Sequence, residues 1–278
     1  MSRLQNKVAL ISGVARGQGR SHALRLAGEG ASIIGFDRMA GYSTVPFSQA
    51  TPEDLEETVR LVEKAGGQIV VGRADVRDRA QIAKVIDEGV SRLGNIDVVV
   101  ANAGIGINSA PFWEVPQDEW RDCIDVNLGG VWNTVSAAIP SMLAGGHGGA
   151  VVVTSSAAAL KAAPNIAPYT AAKTGVIGLV RSMANDLAPH RIRANVVCPT
   201  SVPTGFLFNE RLYKIFRPDL EHPTPDDVTP VMAQMHPLGE PWVETDDVSS
   251  AVAYLASDEA RYITGIVLPV DLGLSVKF

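Results

Sequence analysis

The chain has 278 residues, 46% of them hydrophobic and 19% charged, as in an ordinary globular protein. Its net charge of −6 gives no basic footprint for nucleic acid, and no apolar run reaches the roughly 18 residues of a membrane-spanning helix. Two cysteines, Cys123 and Cys198, make no disulfide framework and read as small core residues; with no signal-peptide pattern ahead of residue 7, a reducing, cytoplasmic setting is expected.

In chain order, a β-branched apolar run at 8–12 reads as a strand, followed by a glycine-rich turn and a helical pattern over 19–29. Strands are expected at 32–37, 69–73, 96–101, 150–155, 193–198 and 266–270, and helices at 52–65, 79–93, 116–142, 169–187 and 245–257. The strands are apolar on both faces, as parallel strands covered by helices must be. This alternation predicts an α/β fold: a Rossmann-type doubly wound parallel sheet of about seven strands with helices on both faces. No Pro/Gly/Ser-rich linker divides the chain, so residues 1–278 read as a single domain. Two segments break the rhythm. Residues 38–51 form an insertion where such connections usually take about 2–6 residues. Residues 205–242 are long and rich in proline and aromatics (Phe206, Phe208, Tyr213, Phe216 and Trp242), which suits a lid over an apolar substrate. The last segment, 271–278, is apolar enough to be buried against that lid or a neighbouring chain.

The candidate chemistry lies at the carboxyl ends of the strands, where ligands bind in open α/β sheets. Gly13, Arg16, Gly17, Gln18 and Gly19 follow the first strand and open the first helix. Glycines there let backbone approach a pyrophosphate, and the helix N-terminus favours its charge. Asp37 ends the second strand, where a carboxylate accepts hydrogen bonds from ribose hydroxyls and repels a 2′-phosphate, favouring NAD over NADP. Arg38 and Arg16 nearby leave NADP open as the minority reading. Asp75 and Val76 follow the third strand, and Asn102, Ala103 and Gly104 follow the fourth. Ser156 ends the fifth, 13 residues before Tyr169. Tyr169 and Lys173 are four apart on a helix and so share one face, where an ammonium lowers the pKa of a nearby phenol and fits it for proton transfer. The five histidines show no metal-ligand spacing, and no metal is expected.

The ordered set SGVARGQG, Asp37, Asp75-Val76, ANAG, Asn127, TSS, YTAAK and YITGIVLPVDLG resembles the short-chain dehydrogenase/reductase family over about residues 7–273. The resemblance implies a catalytic tetrad of Asn127, Ser156, Tyr169 and Lys173. In it Tyr169 is the general acid/base and Ser156 polarises the substrate oxygen. Lys173 bonds the nicotinamide ribose and lowers the Tyr169 pKa, and Asn127 holds a relay water. It also implies nicotinamide contacts from Pro199, Val202 and Thr204, although Thr200 stands where the family usually has glycine. A homotetramer is implied through the helices expected at 116–142 and 169–187.

A narrower resemblance, carried by the insertion after Asp37 and by GVWNT, LAPHRIR, FRPDLEHPT and LASDEARYITG, is to the mycofactocin-coupled subgroup that includes carveol dehydrogenase-like proteins. It implies tightly held NAD, re-oxidation through mycofactocin, and a small apolar secondary alcohol or ketone, such as a terpenoid, as substrate. The expected activity is NAD-dependent alcohol dehydrogenase/ketoreductase. The other readings are an ordinary family member with freely exchanging NAD, and a non-catalytic NAD-binding redox sensor on the same fold.

Overall fold

The structure, a computed structural model, describes residues 2–45, 48–106 and 108–278; residues 46 and 47 of the expected insertion lie outside the described residues. Seven strands form a sheet: β1 (Val8–Ser12), β2 (Ser32–Asp37), β3 (Ile69–Arg73), β4 (Val98–Ala101), β5 (Gly149–Thr154), β6 (Ile192–Pro199) and β7 (Val267–Val270). Their spatial order is β3-β2-β1-β4-β5-β6-β7, and every adjacent pair is parallel. In register, Leu10 lies opposite Ile34 on one side and Val99 on the other.

Alternate residues of each strand feed two cores. Leu10, Ile34, Val99, Val151 and Val196 point to one face, where they meet α3 (Arg79–Leu93), α5 (Gly130–Gly145) and α6 (Ala167–Leu187). Ile11, Ile33, Val98, Val152 and Val197 point to the other, against α1 (Gly17–Gly28), α2 (Pro52–Lys64) and α9 (Thr245–Ala256). Burial on both faces explains why the strands lack a polar side.

Two expectations need correction. The helix expected over 116–142 is three pieces: α4 (Gln117–Ile124), a π-helical turn (Asp125–Gly129) and α5. The segment 205–242 is no plain loop, because it folds α7 (Glu210–Phe216) and α8 (Pro225–Met235). Asn209 caps α7 by accepting from the Leu212 N–H at 2.9 Å, and a Thr224–Asp227 capping box with Pro225 in the first turn starts α8. Leu207, Tyr213, Val228 and Met232 then pack into a small core of their own beneath Phe216 and Trp242. In the single chain the lid alone does not cover the chain's end: Val276 is 71% exposed and Phe278 fully so. No helix among the described residues is long and apolar enough to cross a membrane.

Candidate active site

The strand order reverses between β1 and β4, which opens a crevice at their carboxyl ends. Two turns are stapled across it. The Ser12 hydroxyl accepts from the N–H groups of Asn102 (3.1 Å) and Ala103 (3.2 Å), and the Asn102 amide donates to the Ser12 carbonyl (3.2 Å). Gly13 takes a φ of +71°, and a Cβ on it would press within 2.9 Å of Ala103 Cα. A Cβ on Gly19 would lie 1.9 Å from the Gly13 carbonyl oxygen. At the start of α1, Arg16 supplies no side-chain cap and the first turn has no acidic residue, so among the described residues no side chain competes for the leading N–H groups.

A cavity of about 600 Å³ runs from this turn to α6. Gly13, Arg16, Gly17, Gln18, Gly19, Asp37 and Arg38 line one end, with Val76, Asn102, Ala103 and Gly104 between, and Asn127, Ser156, Tyr169, Lys173, Pro199, Val202 and Thr204 toward the other. Asp75, expected among them, does not line the cavity. Its carboxylate is held by Arg77 (2.8 Å) and Arg38 (3.0 Å). Burial pushes the Asp75 carboxyl up, but the hydrogen bonds and charge of Arg77 outweigh it and hold the group below its ordinary value. Asp37 accepts from the N–H groups of Ala15 (3.2 Å) and Met39 (3.3 Å), while burial raises its pKa.

At the far end four side chains converge. The π turn brings Asn127 inward, fully buried, where Oδ1 accepts from the Ile105 N–H and Nδ2 donates to the Ile105 carbonyl, both at 3.0 Å. Nδ2 also reaches Cys123 Sγ at 3.3 Å. A Cβ on Gly104 would lie 2.8 Å from Asn127 Oδ1 and 3.4 Å from Lys173 Nζ, which locates both groups around one glycine. Tyr169 and Lys173 share a face of α6, with Lys173 Nζ 5.7 Å from the Tyr169 ring centroid. Ser156 caps a short 3₁₀ turn, its hydroxyl accepting from the Ala158 N–H at 3.1 Å. Its neighbour Ser155 turns away and donates to the Lys173 carbonyl at 2.7 Å.

The expected lowering of the Tyr169 pKa is not found in the protein alone. The residue is only partly buried as a whole, but its hydroxyl lies deep, and burial pushes the phenol up to about 12 although a hydrogen bond with Ser156 pulls the other way. Burial likewise drops Lys173 to about 8. The ammonium is directed at the Thr154 carbonyl, 2.9 Å away, rather than at the phenol oxygen. Desolvation therefore dominates both shifts.

The sequence reading missed several wall residues. Tyr42, Gln49 and Ala50 of the insertion line the first end, and Ile215, Val231 and Met235 of the two lid helices line the second beside the expected Phe216. Phe206 stands with its ring 6.1 Å from that of Tyr169. Thr200, the departure from the family's glycine, lies 2.7 Å from Nε2 of His236 at the end of α8. The His236 Nδ1 faces the Glu240 carbonyl at 2.7 Å and so donates, leaving Nε2 to accept from Thr200. This bond ties the lid to the end of β6. The apolar spacing of α8 was the signal available for its wall residues; none marked Tyr42.

A parallel sheet with a glycine turn at its switch point defines the class, Rossmann-type α/β proteins with a ligand crevice at the strand ends. Residues 13–275 match the family model adh_short_C2, described as enoyl-(acyl carrier protein) reductase. The chain is 48% identical over 279 residues to (−)-trans-carveol dehydrogenase of Rhodococcus erythropolis, covering all of both chains. It is similar to the crystal structure of carveol dehydrogenase from Mycobacterium avium in complex with NAD, with a TM-score of 0.97, 49% identity and full coverage of both chains. It is also similar to a short-chain dehydrogenase from Mycobacterium paratuberculosis bound to NAD, with a TM-score of 0.91 and 40% identity over 99% of this chain and all of the other. The protein belongs to the short-chain dehydrogenase/reductase family.

Proposed function

We infer that the protein is an NAD-dependent oxidoreductase that interconverts a small apolar secondary alcohol and its ketone, with carveol-like terpenoids as the substrate class. The observation that carries this reading is the convergence of Asn127, Ser156, Tyr169 and Lys173 at one end of a cavity whose other end is the glycine turn and Asp37.

The residues fit the dinucleotide. Gly13 and Gly19 leave a cradle that a Cβ would fill, α1 starts without a side-chain cap, and the buried Gln18 Oε1 lacks a hydrogen-bond partner among the described residues. Gly13, Arg16, Gly17, Gln18 and Gly19 would hold the pyrophosphate and Asp37 the adenosine ribose. Val76, Asn102, Ala103 and Gly104 would line the middle, with Pro199, Val202, Thr204, Tyr169 and Lys173 around the nicotinamide half. When bound, the nicotinamide supplies hydride transfer.

The chain's own residues then handle the proton. Tyr169 is protonated at neutral pH and ready to donate from its phenol oxygen to a ketone; in the oxidative direction it must first pass that proton along the path through Lys173, and its phenolate then receives the alcohol proton. Ser156 hydrogen-bonds the same substrate oxygen and stabilises charge developing on it. Lys173 keeps its positive charge at pH 7 and favours the phenolate in the oxidative direction. Asn127 positions a water that continues the proton path from Lys173.

The 38–51 insertion supports a cofactor that exchanges slowly and depends on a mycofactocin-linked acceptor. The lid 205–242 excludes water above Tyr169, and the chain works as one domain in a cytoplasmic homotetramer. The test is to denature purified protein, assay the supernatant for NAD(H), and screen secondary alcohols including carveol with an artificial electron acceptor. Released NAD and dye-linked turnover are expected. Protein that carries and binds no dinucleotide and oxidises no secondary alcohol refutes the reading.

A further inference from the structure

The insertion after β2 consumes the two cations that could receive a 2′-phosphate. Arg38 follows Asp37 directly and lines the cavity, so by position it is the group such a phosphate would seek. Its guanidinium carbon sits 3.9 Å from the Tyr42 ring centroid. Its Nε lies 3.0 Å from the Asp75 carboxylate in an ion pair, and Nη1 donates to the carbonyls of Gly41 (2.6 Å) and Ala40 (3.3 Å). Tyr42 is held in turn. Arg77 lies 4.6 Å from its ring centroid and its hydroxyl donates to Asp75 at 3.3 Å. Two residues on, Thr44 donates to Asp122 at 2.7 Å. The second candidate, Arg16, donates from Nη2 to the Ser48 carbonyl at 2.5 Å, again in the insertion. In this cluster Asp75 pairs with both Arg38 and Arg77, and Arg77 pairs also with Asp122, so both guanidiniums already face carboxylates.

We propose that Tyr42 is a specificity-determining residue: by clasping Arg38 against Asp75 it withholds the cation that the 2′-phosphate of NADP requires, so that Asp37 and the Tyr42 clasp exclude NADP together. The proposal rests on the dinucleotide reading of the cavity and names what sets its choice of dinucleotide. A planar guanidinium stacked on an aromatic ring, ion-paired at Nε and bonded through Nη1 has lost its freedom to swing toward a ligand. Removing Asp37 alone lifts the repulsion but leaves Arg38 clasped. Removing the ring as well frees Arg38 to pair with a phosphate.

The experiment is equilibrium dialysis of purified protein against an equimolar mixture of NAD⁺ and NADP⁺, with bound nucleotides released by acid and quantified. The proteins compared are wild type, Asp37→Ser, Asp37→Ser/Tyr42→Ala, Asp37→Ser/Tyr42→Phe, and the triple variant Asp37→Ser/Arg38→Ala/Tyr42→Ala. Wild type should hold NAD⁺ almost exclusively. Asp37→Ser should narrow the ratio yet still favour NAD⁺. Adding Tyr42→Ala should shift it by a further factor of about ten or more toward NADP⁺, the weight of one charge-assisted hydrogen bond. Tyr42→Phe keeps the ring and should leave the ratio at the Asp37→Ser value, and Arg38→Ala should abolish the gain. The proposal is overturned if Asp37→Ser alone favours NADP⁺ and Tyr42→Ala adds nothing, or if the gain survives Arg38→Ala. Wild-type protein that retains neither nucleotide overturns the dinucleotide reading itself.

Discussion

Replacing Lys173 with methionine should make the protein more stable while abolishing turnover. Lys173 is 3% exposed, and burial lowers its pKa from 10.5 to about 8. At about 1.4 kcal/mol per pH unit, holding the charge inside at neutral pH disfavours the fold by about 3 kcal/mol. Methionine keeps the apolar stem but loses the 2.9 Å bond to the Thr154 carbonyl, which returns about 1 kcal/mol. The net gain for Lys173→Met is about 2 kcal/mol near pH 7. The sign with pH follows from the direction of the shift. Below about 8 the lysine is charged in both folded and unfolded chains, and the full penalty is present. As pH rises from about 8 toward 10.5 the folded form sheds its proton first, the penalty fades, and the variant's advantage shrinks. Urea unfolding of nucleotide-free wild type and variant, at about pH 7 and about pH 10, measures both quantities. A variant less stable than wild type at neutral pH, or a gap that does not change with pH, refutes the reasoning.

Other outcomes follow from the same geometry. Gly19→Ala places a Cβ 1.9 Å from the Gly13 carbonyl oxygen, so the turn must open. Loss of co-purifying dinucleotide and a fall in Tm of roughly 5 °C or more are expected in a melting scan, and an unchanged melt would contradict the steric argument. Asn127→Ala strands the buried N–H and carbonyl of Ile105 and should lower stability by about 2–4 kcal/mol in urea, whereas a loss near zero would mean that water replaces the amide fully. Phe206→Ala removes an aromatic wall 6.1 Å from Tyr169 and should raise KM for an apolar alcohol about tenfold or more with dinucleotide content unchanged; an unaltered KM removes Phe206 from the substrate site.

The strands were legible because their β-branched apolar runs, buried on both faces in the middle of the sheet, admit few other readings, and β1 to β3 fall at the expected residues. The glycine turn and the Tyr169–Lys173 pair are local patterns and both line the one cavity, whereas Asn127 entered only through the family resemblance. The π turn at Asp125–Gly129 was not legible, because one extra residue in a helical turn leaves no mark on apolar periodicity. The helices α7 and α8 were missed although Asn209 and Thr224-Pro225 are ordinary start signals, since aromatics and prolines around them suggested a loop. The pairing of Asp75 was hidden from the sequence for a different reason. Its carboxylate is claimed by Arg77, two residues away, and by Arg38, which the insertion turns toward it, a partnership that depends on tertiary packing. The same holds for Tyr169, where sequence names the ammonium one turn away but not the depth of burial that dominates the phenol's pKa.

Tyr169→Phe tests whether Tyr169 transfers the proton. The substitution removes one oxygen and leaves the ring beside Phe206. With dinucleotide content and melting temperature held at wild-type values, the account predicts a loss of about 10²–10⁴ in kcat for secondary-alcohol oxidation. Turnover within a few-fold of wild type would contradict it.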